Sequence, residues 1–176
     1  MSNDEGPMTT TDYSPRPSWA VASGERAPRR ISAGQWDRKD WQRVWLGTQG
    51  RDWRTLALVP GDDRIPTLSV ANLIARLALD RGESIHVADL RRLRLKHVDA
   101  FLEAIRWDSD QGKRIIFATT SASANLSTVP LARAADCAIL CVALGATSLR
   151  SVREVIDQIG RTHFLGSLLF RQQDRP

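Results

Sequence analysis

Three polar side chains of the types that bind phosphate or Mg²⁺ accompany apolar segments of the sequence. Arg64 and Thr67 come just after the apolar run 55–60, and Asp89 lies near the end of the run 84–90. An arginine neutralises phosphate, while a threonine hydroxyl and a carboxylate supply the oxygen ligands that Mg²⁺ prefers. These three residues are therefore the candidates for an atypical nucleotide site.

Other reactive residues do not form a recognisable constellation. His86, His97 and His163 fall in separate segments, and no short Cys/His spacing typical of zinc accompanies them. Ser121 and Ser123 follow an apolar run but lack the Gly-x-Ser-x-Gly elbow of serine hydrolases. We predict no catalytic residue and no metal ligand from these side chains.

Two cysteines, Cys137 and Cys141, lie in the apolar run 137–144. Residues four apart in a strand share a face but are roughly 13 Å apart, too far for a disulfide. We expect both to be buried, reduced thiols, as is usual in a cytoplasmic protein.

The candidate residues would be positioned by strands that alternate with helices from residue 54 onward. Several of the apolar runs lack polar alternation, which is typical of strands covered on both faces of a parallel sheet. The pattern predicts an α/β fold, a doubly wound and mostly parallel sheet of about five strands with helices on both faces. The predicted strands are 55–60, 84–90, 114–120, 137–144 and 163–170, and the predicted helices are 66–81, 96–107, 128–135 and a segment ending at Gly160.

The N-terminal part has a different composition. Residues 1–33 are polar and rich in Pro and Gly, which predicts a flexible tail. Residues 34–53 form a Trp-rich segment with a short amphipathic helix predicted at 32–46. Aromatic anchors supply much of the energy at protein interfaces, so this segment is the predicted partner contact, although the rings could equally cover one edge of the domain. The tryptophans concerned are Trp36, Trp41, Trp45 and Trp53.

The charge balance is moderately basic, with 25 Lys and Arg against 20 Asp and Glu. Arg91 and Arg92 open a basic cluster after the second strand that could bind an anion or an acidic partner, or be a solvated loop. We expect no nucleic-acid partner because no known reader motif accompanies the charge. No apolar stretch reaches the roughly 18 residues of a membrane span, so membrane association is expected only through a partner.

The segment PGDDRIPTLSVANLIARLALDRGESIHVADLRR, residues 60–92, carries a family resemblance. It is similar to the first strand–loop–helix–strand unit of the MinD/ParA-like P-loop ATPases. It most resembles the cytoplasmic tyrosine-kinase domain of bacterial exopolysaccharide co-polymerases, over roughly residues 54–171. The matching positions are Pro60-Gly61, Asn72-Leu73-Ile74, Arg81-Gly82 and His86-Val87-Ala88-Asp89-Leu90-Arg91.

The resemblance fails at the residues that handle ATP. The family's Gly-Lys-Ser-Thr falls on Ile65-Pro66-Thr67-Leu68, so only Thr67 keeps its chemistry. A phosphate loop requires glycines whose N–H groups converge on the phosphates and a lysine for their charge. Val87 and Ala118 stand where the family has metal-side aspartates, and Tyr13 is the only tyrosine.

The resemblance therefore implies a degenerate P-loop-like domain, with no cofactor, that acts by protein–protein docking in exopolysaccharide synthesis or export. A membrane co-polymerase or an active ATPase paralogue would be its partner, in a homo- or hetero-oligomer at the inner face of the membrane. The alternatives are an ATPase or tyrosine kinase using Arg64, Thr67 and Asp89, and a ParA-like partition protein. On the first reading, the protein's own side chains should close the nucleotide site.

Overall fold

The structure, a computed structural model, describes residues 39–171. The predicted tail 1–33 and Trp36 lie outside the described residues. Five helices and five strands follow one another in the order predicted. They are α1 Lys39–Gln49, β1 Thr55–Pro60, α2 Thr67–Leu79, β2 Ile85–Asp89, α3 Val98–Asp110, β3 Arg114–Ala118, α4 Thr128–Ala134, β4 Cys137–Leu144, α5 Leu149–Ile159 and β5 Phe164–Arg171.

All five strands form one parallel sheet in the order β2-β3-β1-β4-β5. β1 lies at its centre, with Thr55 paired to Ile115 of β3 and Leu56 paired to Cys137 of β4. The predicted fold class is confirmed, including the parallel strand direction.

β1 explains why helices cover both faces of the sheet. Every residue of TLALVP is buried, because side chains that alternate in direction must each meet an apolar layer. Ala57 and Val59 pack on one side with residues of α3, α4 and α5. Leu56 and Leu58 pack on the other side with residues of α1 and α2.

The Trp-rich segment contributes to the second of these layers. Trp45 and Trp53 are each only 2% exposed. The Trp53 ring lies 3.8 Å from the Arg114 guanidinium and its Nε1 donates a hydrogen bond of 2.8 Å to the Thr48 carbonyl. These two rings fill the core of the single chain, whereas Trp41 is half-buried. The partner contact of the Trp-rich segment stays a prediction.

Both cysteines are buried and free, as predicted. Burial raises the pKa of Cys141 to about 12 and, as the largest cause, that of Cys137 to about 11. Within residues 39–171, no helix is long and apolar enough to cross a membrane.

Candidate functional site

The loop that joins β1 to α2, residues 61–66, lies at the carboxyl edge of the sheet. In doubly wound sheets, ligands bind outside this edge, where successive crossovers run in opposite directions from neighbouring strands. The chain from β1 crosses over β3 to reach β2, while β4 lies on the other side of β1. The loop therefore occupies the position where a phosphate loop would be found.

Three backbone amides of this loop, and that of Thr67 at the start of α2, are hydrogen-bonded within the protein. The N–H of Gly61 donates to the Cys141 carbonyl at 2.9 Å, and that of Thr67 donates to the Ile65 carbonyl at 2.9 Å. The N–H groups of Arg64 and Ile65 donate to oxygens of Asp62. Pro66, at the lysine position of the related loops, has no N–H at all. These amides do not converge on an external anion.

Arg64 is neutralised by its neighbour in the loop. Its Nε and Nη2 contact the two carboxylate oxygens of Asp62 at 2.8 and 2.9 Å, and Nη2 also donates to the Ala146 carbonyl at 3.2 Å. The hydrogen bonds from Arg64 lower the pKa of Asp62 to about 2. Arg64, the one cation of loop 61–66, thus forms its ion pair with Asp62 of the same loop.

Thr67 keeps its hydroxyl but uses it inside the fold. Its Oγ1 donates to the Thr119 carbonyl at 2.5 Å, and the side chain is fully buried. The Thr119 hydroxyl in turn donates to the Leu58 carbonyl at 2.8 Å. This chain of bonds ties the first turn of α2 to the ends of β1 and β3.

One further hydrogen bond and one close approach join the loop to its neighbours. The Asp63 carboxylate accepts the N–H of Ser121 at 3.1 Å, from the loop after β3. A Cβ atom on Gly61 would come within 2.7 Å of the Thr147 Cγ2, so only glycine fits at this approach. The loop is held from both sides by the protein's own atoms.

Asp89 is likewise paired locally. Arg91 donates from Nε and Nη2 to its two oxygens, both at 2.7 Å, and this contact lowers the pKa of Asp89. Asp89 ends β2, which lies two strands from β1, or roughly 10 Å at the usual strand spacing. Arg64, Thr67 and Asp89 therefore each have a different partner, and no contact between them is found among residues 39–171.

Val87 and Ala118, which the sequence resemblance aligns with metal-side aspartates, are apolar residues in apolar surroundings. Ala118 is fully buried, and Val87 packs against the core layer that contains α2. Across the described part of the chain, no group of three or more His, Cys, Asp or Glu residues could hold a metal ion.

The same edge of the sheet carries exposed apolar and basic side chains that sequence reasoning only partly identified. Arg92, Arg94 and Lys96 are exposed, and none of the three forms a salt bridge within the described residues. Four leucines of the carboxyl-edge segments are also exposed. The sequence could have indicated such exposure where a single leucine stands between polar residues, as in Asn125-Leu126-Ser127. They are Leu95 at 55%, Leu126 at 71%, Leu144 at 44% and Leu149 at 78%.

Comparisons with known proteins place the fold among kinase domains. A scan with protein-family models found no match, and a search of curated proteins found no relative. Among solved structures, the kinase domain of Escherichia coli tyrosine kinase ETK is similar with a TM-score of 0.61 at 11% identity, over 76% of this chain and 74% of that chain. The BceF tyrosine kinase domain is similar with a TM-score of 0.56 at 10% identity, over 73% of each chain. At these identities the likeness shows the fold.

Proposed function

We propose that this protein is a non-catalytic member of the tyrosine-kinase-like P-loop fold that acts by docking to a protein partner. The observation that carries the proposal is the closed loop after β1. The N–H groups of Gly61, Arg64 and Ile65, and of Thr67 at the start of α2, donate within the protein. A polyphosphate would have to break these bonds before it could accept from these four amides, and each of the buried ones, at Gly61, Ile65 and Thr67, costs about 1–3 kcal/mol to break.

The charge of the loop supports the same proposal. Asp63 is exposed at the position where phosphates would approach, and Asp62 already neutralises Arg64. A nucleoside triphosphate would therefore meet carboxylate rather than free cation. The lysine that balances phosphate charge in related loops is replaced by Pro66.

The docking part of the proposal rests on the carboxyl edge outside the closed loop. We define the docking surface as Leu95, Leu126, Leu144 and Leu149 with the cations Arg92 and Arg94. Exposed apolar groups bordered by polar ones mark protein interaction sites, and arginine is enriched at interfaces. Trp41, half-buried on α1, is the remaining candidate from the predicted aromatic segment.

The biological process follows from the sequence resemblance. Exopolysaccharide synthesis or export is proposed because residues 60–92 resemble the cytoplasmic domain of bacterial exopolysaccharide co-polymerases. The partner would be such a membrane co-polymerase or an active ATPase paralogue, which would bring this protein to the inner face of the membrane. The fold shared with two tyrosine kinase domains is compatible with this origin.

A nucleotide-shift assay tests the non-catalytic part. With Mg-ATP at about 1,000 times its Kd, a binder gains about 4.1 kcal/mol of stability, which raises the Tm by several degrees. We expect no change in Tm at about 1 mM Mg-ATP, an excess that would reveal any micromolar site. A reproducible rise would instead favour the alternative of an ATPase or kinase that uses Arg64, Thr67 and Asp89.

A binding assay with the purified cytoplasmic part of the co-polymerase tests the docking part. Leu126→Asp should weaken binding at least about tenfold, because a buried apolar contact is replaced by a charge. Leu79→Asp is the matched control, since Leu79 is 66% exposed at the end of α2 and lies outside the docking surface. Equal affinities for the two variants would rule this surface out. A salt-dependent shift of DNA would point to the ParA-like alternative.

A further inference from the structure

The two outer strands of the sheet differ in a way that the docking surface does not explain. β2 ends one side of the sheet with five residues, and β5 ends the other with eight. Within residues 39–171, β5 pairs with β4 alone, so its outer edge keeps about four N–H and four C=O groups that no strand meets. Such an edge is a template for pairing with another strand.

β5 lacks the features by which proteins normally block an exposed edge. From Phe164 to Phe170 its sequence is FLGSLLF, with no charged residue and no proline, and Arg171 at its end is its one charged residue. An irregularity in pairing lies at its first residues, and from Gly166 onward the register with β4 is regular. β2, in contrast, is short and carries exposed His86 and Asp89. Among the strands of residues 39–171, β5 is the one whose outer edge is open to pairing.

We propose that β5 pairs with β5 of a second copy of this chain, antiparallel about a two-fold axis through Leu168, and joins the two sheets into one. Residues 164–170 of one copy present no charge to the same residues of the other, and the charged five-residue edge of β2 does not match them. A two-fold contact uses the same surface on both copies and closes the assembly at two subunits.

The side chains of β5 fit this register. In an antiparallel pair related by a two-fold axis perpendicular to the sheet, residues on the same face lie opposite each other, so the numbers of paired residues have the same parity. An axis through Leu168 places Gly166 opposite Phe170 of the second copy, where the missing side chain leaves room for the ring. Ser167 then lies opposite Leu169, which is 62% exposed in the single chain.

The helices beside β5 supply the rest of the contact. Five paired residues span about 17 Å, too little alone for the roughly 1,000 Å² of a stable interface. α1 contacts β5 and carries two apolar side chains that are not fully buried, Leu46, which is 67% exposed, and half-buried Trp41. Leu169 of β5 lies opposite Val142 in register. α1 and β5 thus both offer apolar area to a second copy.

The molar mass of the full chain in solution tests the pairing. We expect light scattering at about 100 µM, well above a micromolar Kd, to give twice the chain mass of 19.6 kDa. Leu169→Lys, which introduces an unpaired charge at the edge, should give the monomer, and Leu79→Lys, its control at an equally exposed leucine, should remain dimeric. A monomeric wild-type chain, or a dimer that survives Leu169→Lys, overturns the proposal.

A cysteine placed on the axis tests the register. Cα atoms directly opposite in an antiparallel pair are about 4.5–5.5 Å apart, which is within disulfide range. Leu168→Cys should therefore form a covalent dimer under mild oxidation, while Leu79→Cys should not. The natural cysteines are fully buried and do not compete. A dimer that fails to cross-link overturns the axis through Leu168, and none of these results depends on whether the docking surface or the closed loop behaves as proposed.

Discussion

Replacing Thr67 with valine removes one hydroxyl and keeps the shape of the side chain. That hydroxyl donates to the Thr119 carbonyl at 2.5 Å from a fully buried position. In the variant, the carbonyl keeps its place at the end of β3 but loses its donor. We expect the variant to fold with a lower free energy of unfolding.

The magnitude follows from the cost of leaving a buried acceptor without a partner, about 1–3 kcal/mol. For a domain of this size, each kcal/mol lowers the Tm by about 2–4 °C. The loss should therefore be about 2–12 °C. If the Thr67 hydroxyl were instead free for a metal-bound nucleotide, valine would leave the ligand-free stability unchanged.

Urea denaturation of the purified full chain, followed by tryptophan fluorescence, measures the difference. Thr162→Val is the matched control, because Thr162 is exposed and the same chemical change there should alter stability by less than about 0.5 kcal/mol. Equal midpoints for the two variants would show that the bond to Thr119 does not hold the loop closed, and would remove the main support for a closed site.

Three other results are expected. Trp53→Ala should destabilise the protein by about 3–5 kcal/mol in the same assay, since the ring is 2% exposed; a loss below about 1 kcal/mol would contradict its burial. Gly61→Ala should cost about 1–3 kcal/mol through the clash with Thr147, and a double-mutant cycle with Thr147→Ser should recover most of it; additive costs would refute the clash. The pKa of Asp62 is about 2 beside Arg64, below its ordinary 3.8, so the stabilisation is present above pH 3.8 and is lost as the pH falls through 2. An NMR titration of Arg64→Ala should return this pKa toward 3.8, and an unchanged pKa would assign the shift to another cause.

The sheet could be predicted from the sequence because its strands are buried on both faces. Unbroken apolar runs such as 55–60 and 137–144 match β1 and β4 in both bounds. The first helix was less predictable. It was expected at 32–46 from the helical spacing of its apolar residues, but α1 continues to Gln49. Trp45 and Thr48 are buried on either side of Gly47, and this packing outweighs the roughly 1 kcal/mol that glycine costs in a helix.

The sequence could predict that the protein's own groups close the site, but it could not predict which groups do so. Pro66 and Ile65 predict from the sequence alone that this loop does not bind phosphate as a glycine-rich phosphate loop does. The groups that fill the space come from distant segments: the Thr119 carbonyl, Ser121 and Thr147. Likewise, no local pattern indicates that Arg114 stacks on Trp53, 61 residues earlier in the chain, and removes that ring from the surface. Such pairings follow from the strand order, which a single sequence does not specify.

The central position of β1 has a consequence for how the chain folds. β1 is the first of the five strands to be synthesised, yet Thr55 pairs with Ile115 and Leu56 with Cys137, 60 and 81 residues later. At about 5–20 residues per second, a ribosome takes about 4–16 s to deliver the second partner. For all of that interval β1, an apolar strand without a single charge, lacks its β4 partner, and for most of it the β3 partner as well. Contacts this far apart in sequence slow folding, so the nascent chain should depend on chaperones that shield β1 until β4 has emerged.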